Sequence, residues 1–312
     1  MPKIKMRINR KKLFRFLLFA ICLAVIIAVP IMASVNKKKA NTVSDGITVL
    51  NVWQIDSFEG GKGSRAKYLQ DVGDKFTKRS GCYVTVSALS ADAARLNLKN
   101  GNVPDLISYG AGTYGIECYI RGDTPYRCWC NGGYCFLSLD TNANFEDVSV
   151  KNLIINGGTD NLSGATALLC SVNGAETAKP TSAYVRLING EFKYLLGTQR
   201  DIFRLRTRDV AFAVKPVTAF NDLYQNISIT CTNDKKAAYA EQFIEFLLEN
   251  RKGIISLGLM AEGNSLYDDE MRLLEGLTYE NRLKTPISED MKNEINRAII
   301  NCDIKKLKNL LI

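Results

Sequence analysis

The sequence has no histidine. That absence excludes serine–histidine–aspartate and cysteine–histidine nucleophile systems, together with every metal site that needs an imidazole. A metal centre here would have to be all-thiolate or draw on carboxylates. The chain also lacks a basic excess where one would matter. Lys and Arg total 41 against 32 Asp and Glu, but seven of the basic residues stand before residue 16 with no acidic residue among them. The remainder carries 34 basic against 32 acidic side chains, a formal +2. A body so close to neutral, with no basic stripe, argues against nucleic acid as a partner. There is no internal repeat, and no low-complexity segment beyond one short lysine-rich stretch. About 270 residues remain after the N-terminal segment, enough for two modest lobes or one large one.

The basic residues belong to targeting. Lys3, Lys5, Arg7, Arg10, Lys11, Lys12 and Arg15 precede an apolar run from Phe16 to Ala33. A positive head on such a run is a secretory signal or a short membrane span. Three positive charges after it (Lys37, Lys38, Lys39) against seven before it place the N-terminus inside and the body outside. Cys22 follows Ile21, where lipid-anchor processing wants a small side chain. Residues 1–34 are therefore expected to be a signal peptide or N-terminal membrane anchor, and 35–45 a polar tether. The body lies at the extracellular face of the cell membrane, anchored or secreted. Its eight cysteines either pair or stay as buried thiols. Cys128-Trp-Cys130-Asn-Gly-Gly-Tyr-Cys135 is the dense cluster, and it lacks a fourth metal ligand.

The region Ile47–Gly110 organises the rest. An apolar run (Ile47, Val49, Leu50, Val52) reads as a buried strand, and Gly60, Gly61 and Gly63 punctuate the turn after it. Ala66, Leu69, Val72 and Phe76 then share a helical face. A strand (82–88), a helix (91–99) and a strand (105–109) complete β-α-β-α-β, the unit of a parallel sheet with a ligand crevice at its strand ends. From Glu117 short strand-like runs alternate with Gly- and Asn-rich turns, with a helix expected over 182–188 and a strand over 210–217. Ile227 and Ile229 mark another strand. Helices follow from Lys235, over 253–259, after the cap Ser288, and after the cap Asp303. The economical plan is α/β with discontinuous lobes: residues 46–115 and 222–312 as lobe I, 116–221 as lobe II. The two crossings make a hinge, with a cleft between the lobes.

With these residues in hand, the chain resembles the extracellular solute-binding proteins of bacterial ABC importers, of the type II periplasmic-binding-protein fold. The exported N-terminus, the strand-turn-helix of Ile47–Phe76, Asn102-Val-Pro-Asp-Leu-Ile-Ser-Tyr109 and Phe243-Ile-Glu-Phe-Leu-Leu248 carry the resemblance, over roughly residues 46 to 260. The tail 263–312 has no counterpart in it, and Gly258-Leu-Met-Ala lacks the family's common proline. The resemblance implies a monomeric binding protein without catalysis or cofactor. It would hold a small polar solute between two lobes and deliver it to an ABC permease in the membrane.

The candidate ligand-binding residues are Trp53, Asp56, Ser57, Glu59 and Arg65 at the first turn, and Ser108 and Tyr109 at the end of the third strand. Arg200 and Asp201 follow a glycine in the second lobe; Asp222 and Tyr224 stand at the return crossing. Trp53 with Asp56 and Glu59 favours a carbohydrate, by ring stacking and hydroxyl recognition. The turn does not have the phosphate-loop spacing. Each residue also has a plain structural role open to it: interlobe core for Trp53, a solvated loop charge for Asp56 and Glu59, a surface ion pair for Arg200 and Asp201. Two other functions stay open: a membrane-anchored glycan hydrolase using Asp56 and Glu59, and a ligand-sensing ectodomain.

Overall fold

A computed structural model describes residues 47–58, 60, 62–122, 126–158, 161–263 and 265–311. The expected signal or anchor and tether therefore lie outside the described residues, as does Glu59. In chain order the strands are β1 (Val49–Ile55), β2 (Tyr83–Leu89), β3 (Leu106–Gly110), β4 (Arg127–Asn131), β5 (Tyr134–Ser138), β6 (Leu153–Asn156), β7 (Glu176–Ala178), β8 (Tyr194–Thr198), β9 (Ala213–Pro216) and β10 (Tyr224–Ile229). The helices are α1 (Arg65–Ser80), α2 (Ala91–Lys99), α3 (Ser163–Leu169), α4 (Pro180–Ile188), α5 (Gln199–Arg206), α6 (Asp234–Glu249), α7 (Glu289–Ile300) and α8 (Ile304–Leu310). Val49–Ile312 form one body, distinct from the segment ending at Thr48.

Local chemistry explains most of the boundaries. Ser64 accepts a hydrogen bond from Lys67 N at 3.3 Å and starts α1, which buries Leu69, Val72 and Phe76. Gly81, at φ 74°, ends it by donating to Thr77 O. Ser288 and Asp303 cap α7 and α8 as the sequence reading expects. The segment 253–259 differs: it is a 3₁₀ turn over Arg251–Leu257, stopped by Gly258 in the left-handed region, rather than an α-helix. Gly253 and Gly258 bracket too short a run to propagate α-helix.

Two five-stranded sheets repeat one plan. In the first, of order β2-β1-β3-β10-β4, β1 pairs in parallel with β2 and β3, and β10 runs antiparallel between β3 and β4. In the second, of order β7-β6-β8-β5-β9, β6 pairs in parallel with β7 and β8, and β5 runs antiparallel between β8 and β9. Each parallel trio is thus flanked by a strand that has just crossed from the other sheet. This is a two-lobed α/β fold.

The crossings sit differently from the sequence boundaries. Arg127–Asn131, which the reading assigns to the second lobe, is β4 of the first sheet; the chain crosses at Gly132–Gly133. A Cβ on Gly132 would lie 2.4 Å from Gln199 Oε1, so the crossing passes where a larger residue does not fit. The tail also departs from the first lobe: α7 and α8 pack on α3 beside the second sheet. Both differences have one cause, since strand pairing and helix packing are non-local and leave no periodic trace.

Asp105, in the Asn102–Tyr109 segment, has a structural task. Its carboxylate accepts Asn51 N at 2.9 Å and Lys236 Nζ at 3.0 Å on each oxygen, tying β1, β3 and α6 together. Asp105→Ala strands the part-buried Asn51 N–H, while Lys236, about a third exposed, recovers water. A loss of about 2 kcal/mol is expected in urea denaturation, with Asp105→Asn losing less.

Candidate functional site

A sheet of order second-first-third sends its connections in opposite directions from adjacent strands, leaving a gap at their carboxyl ends. In the first sheet that gap lies between Asp56–Ser57, after β1, and Gly110–Thr113, after β3. In the second it lies between Gly157–Gly158, after β6, and Thr198–Arg200, after β8. Both abut the crossings. Gln225 of β10 donates to Ile55 O at 2.9 Å, and Ala111 N donates to Tyr224 O at 3.0 Å. Gln199 Oε1 accepts Gly133 N at 3.2 Å, and Gln199 N donates to Gly133 O at 3.0 Å. The crossings bind each other as well: Gly132 N donates to Leu223 O at 2.7 Å and Asn221 Nδ2 to Gly132 O at 3.0 Å. A two-lobed body whose switch points both open beside its hinge can hold a solute there.

At the first gap, Ser57 is buried against Gly110, and its Oγ has no hydrogen-bond partner among the described residues. Asp56 is exposed, and its Oδ1 accepts from Gln54 Nε2 at 2.9 Å and Arg65 Nη1 at 3.1 Å. Arg65 is buried; Nη1 also donates to Phe58 O at 2.7 Å, and the guanidinium lies 4.3 Å over the Phe58 ring. Arg65 therefore fixes the shape of the 56–58 turn. Burial pushes the neighbouring Cys130 thiol up to about 12, with Arg65 pulling the other way. That thiol is no nucleophile at neutral pH.

Trp53, Ser108 and Tyr109 are set into the sheet rather than the gap. Trp53 is half-buried against the apolar cluster of Ile107, Tyr109, Ala94 and Leu98 under α2. Ser108 accepts from Trp129 Nε1 at 2.9 Å and Gln225 Nε2 at 3.1 Å, and the Tyr109 hydroxyl pairs with Ser228 Oγ at 3.0 Å. Neither Ser108 nor Tyr109 has any exposed surface.

At the second gap, Asp201 is a helix cap. It is wholly buried, accepts Thr198 N at 3.0 Å and Asn156 Nδ2 at 2.9 Å, and completes a capping box at the start of α5. Burial raises its pKa while these bonds and Arg204 oppose the rise. The sequence does carry that signal, since Thr198-Gln-Arg-Asp201 fits the Ser/Thr-x-x-Asp/Glu pattern. Arg200, the next residue into the gap, is half-exposed; burial, then Arg204, lowers its pKa to about 10, and Asp201 opposes them. It stays cationic at neutral pH.

Asp222 lies at the hinge itself. Its carboxylate accepts the Tyr134 hydroxyl at 2.8 Å and Leu162 N at 2.6 Å, joining the return crossing to β5 and to the start of α3. Burial lifts its pKa to about 6 against those two bonds and Lys292. Tyr224 opens β10, with Lys284 Nζ 5.2 Å from its ring centroid. Tyr134 and Gln225 are polar residues the sequence reading missed, and neither lies in a motif that would have flagged it.

The eight described cysteines are unpaired, and among the described residues no group of three or more His, Cys, Asp or Glu could hold a metal ion. Among the described residues no helix is long and apolar enough to cross a membrane.

No family model matches the sequence, and no curated protein matches it. Among solved structures the chain is similar to iron-bound HitA from Pseudomonas aeruginosa, at 11% identity and TM-score 0.50, over 74% of this chain and 94% of that one. It is also similar to a substrate-binding domain assigned to a molybdenum ABC transporter from Clostridium difficile, at 12% identity and TM-score 0.48, over 69% of this chain and 99% of that one. At such identity the likeness is one of fold. The two-lobed periplasmic-binding-protein architecture expected from the sequence resemblance is the architecture found.

Proposed function

We propose that the body captures a small polar solute between its lobes outside the cell and hands it to an ABC permease. The observation that carries this reading is the repeated sheet plan, with both switch points placed beside one double crossing. The N-terminal pattern of seven basic residues before an apolar run supports export. The lobes we assign are residues 49–131 with the β10–α6 segment, and 134–216 with the α7–α8 tail. Binding needs no covalent step. The unbonded Ser57 hydroxyl and the Arg200 guanidinium are the groups we assign to the solute.

Carbohydrate stays in the proposal as one arm only. Trp53, its main support, packs under α2, and Asp56 is already held by Gln54 and Arg65. An anion-bearing solute suits Arg200 better, because a nearby negative charge offsets both its burial and the repulsion from Arg204. A thermal-shift panel of oxyanions, amino acids, sugars and amines tests the reading. A true solute at 100 times its Kd is expected to add about 2.7 kcal/mol to unfolding, and Arg200→Gln to remove most of that gain. A panel with no stabilising compound would count against solute binding.

A further inference from the structure

The tail beyond residue 263, which the family resemblance does not reach, runs along the hinge and then touches both lobes. Glu280 N donates to Thr218 O at 2.9 Å and Asn281 Nδ2 to Ala219 O at 2.9 Å. Asn221 donates to Asn281 O at 3.1 Å and accepts Leu283 N at 3.0 Å, and Asn226 Nδ2 reaches Lys284 O at 2.6 Å. The tail is thus a third chain segment beside the return crossing, bridged to it at Asn221 and Arg282. Ile287 then bridges to Tyr114, in the loop after β3, and α7 begins.

The two sides of α7 are held unequally. Toward the second lobe, Ile295 and Ala298 are buried in the apolar cluster that includes Ala165 and Leu168 of α3. Leu307 and Leu311 join the same cluster, and Cys302 Sγ accepts Asn173 Nδ2 at 3.1 Å. Toward the first lobe the α7 side chains make polar and cation–ring contacts. Lys292 Nζ lies 4.9 Å from the Tyr114 ring centroid and 3.5 Å from Gly112 O, and Arg95 of α2 stacks on Tyr114 at 4.2 Å. A cavity of about 380 Å³ opens beside this contact, lined by Ser90, Arg95 and Tyr114 on one side and Glu289, Lys292 and Asn296 on the other.

We infer that residues 280–311 are a latch: α7 travels with the second lobe, and the lobes part only after Lys292 leaves Tyr114. The seat on α3 is apolar, with Ile295 and Ala298 buried in it, whereas the Tyr114 contact is polar, half-exposed and bordered by a cavity, so the second is the end that gives. This device rests on the two-lobed hinge proposed above, but it does not depend on which solute, if any, is bound.

Hydrogen exchange read by mass spectrometry on the full chain tests it, comparing wild type with Tyr114→Leu and Lys292→Met, which keep apolar bulk and remove the cation–ring contact. Amides at the lobe boundary (Ala111, Thr113, Leu162 and Leu283) are expected to exchange about fivefold faster in both variants. Sheet-centre amides such as Ile107 and Leu195 should keep the wild-type rate. No change at the boundary would overturn the latch. So would a uniform rise that includes the sheet centres, because Tyr114 would then only support the fold as a whole. The result is independent of the thermal-shift panel, so either idea can fail without the other.

Discussion

Gly110→Ala is expected to unfold the first lobe or cost it more than about 3 kcal/mol, the largest effect of any single methyl group here. A Cβ on residue 110 would lie 1.6 Å from Ser57 Oγ and 1.9 Å from Ser57 Cβ. The hydroxyl can rotate away, but the Cβ cannot without moving the turn that Arg65 and Asp56 hold. Nor can β3 slide: Gly110 is in register with Gln225, and Ile107 and Ser108 pair on both sides. The remedy is specific. Ser57→Gly alone should be mild, and Gly110→Ala combined with Ser57→Gly should recover most of the lost stability. Urea denaturation of the four proteins gives the coupling energy directly. A Gly110→Ala protein as stable as wild type would mean the first turn does not lie against β3, and the first half of the cleft would be misplaced.

Asp222→Asn is expected to flatten the stability profile between pH 4 and pH 7. An unfolded aspartate ionises near its ordinary value, whereas burial holds the proton on Asp222 up to about 6. Between those values the folded chain binds more protons than the unfolded one, so stability falls as pH rises and levels off above 6. Below about pH 4 both states are protonated and the penalty vanishes. A shift of about two units corresponds to about 3 kcal/mol. Asparagine can keep both bonds, its oxygen accepting Leu162 N and its amide donating to the Tyr134 hydroxyl, without ever charging. The variant should match wild type near pH 4 and exceed it near pH 7. Equal pH slopes for the two proteins would show that Asp222 titrates normally. The carboxylate joins the return crossing to β5 and α3, so the same titration acts at the junction about which the proposed closure turns.

How much of this was legible beforehand divides along physical lines. The first β-α-β-α-β unit could be read nearly to the residue, because Leu69, Val72 and Phe76 repeat at helical spacing and Ser64 and Gly81 punctuate the helix. The caps Ser288 and Asp303 are local side-chain-to-backbone bonds and were equally visible. The two-lobed plan followed from the order of elements. What could not be read was pairing at long range. Cys128–Leu139 looks like one strand-rich run, yet its halves join different sheets at Gly132–Gly133. The short α3 hides in a segment rich in Gly and Asn, and its place is fixed by Asp222 from 60 residues away.

Site residues divide the same way. The sequence reading picked out polar and aromatic groups near strand ends. Only the partners could tell ligand contacts from structural ones: Asp201 caps α5, Arg65 braces a turn, Ser108 and Tyr109 bond within the sheet.

One distance measurement tests the central idea, that two lobes close on a solute. Spin labels at Lys78 on α1 and Ser182 on α4, both exposed, report the separation of the lobes when attached through introduced keto residues that leave the native thiols untouched. Pulsed electron resonance on the full chain, with and without the compound that most stabilises it, should show a broad distribution collapsing to a shorter, narrower one. A distribution that every binding compound leaves unchanged would contradict a hinged, solute-gripping body.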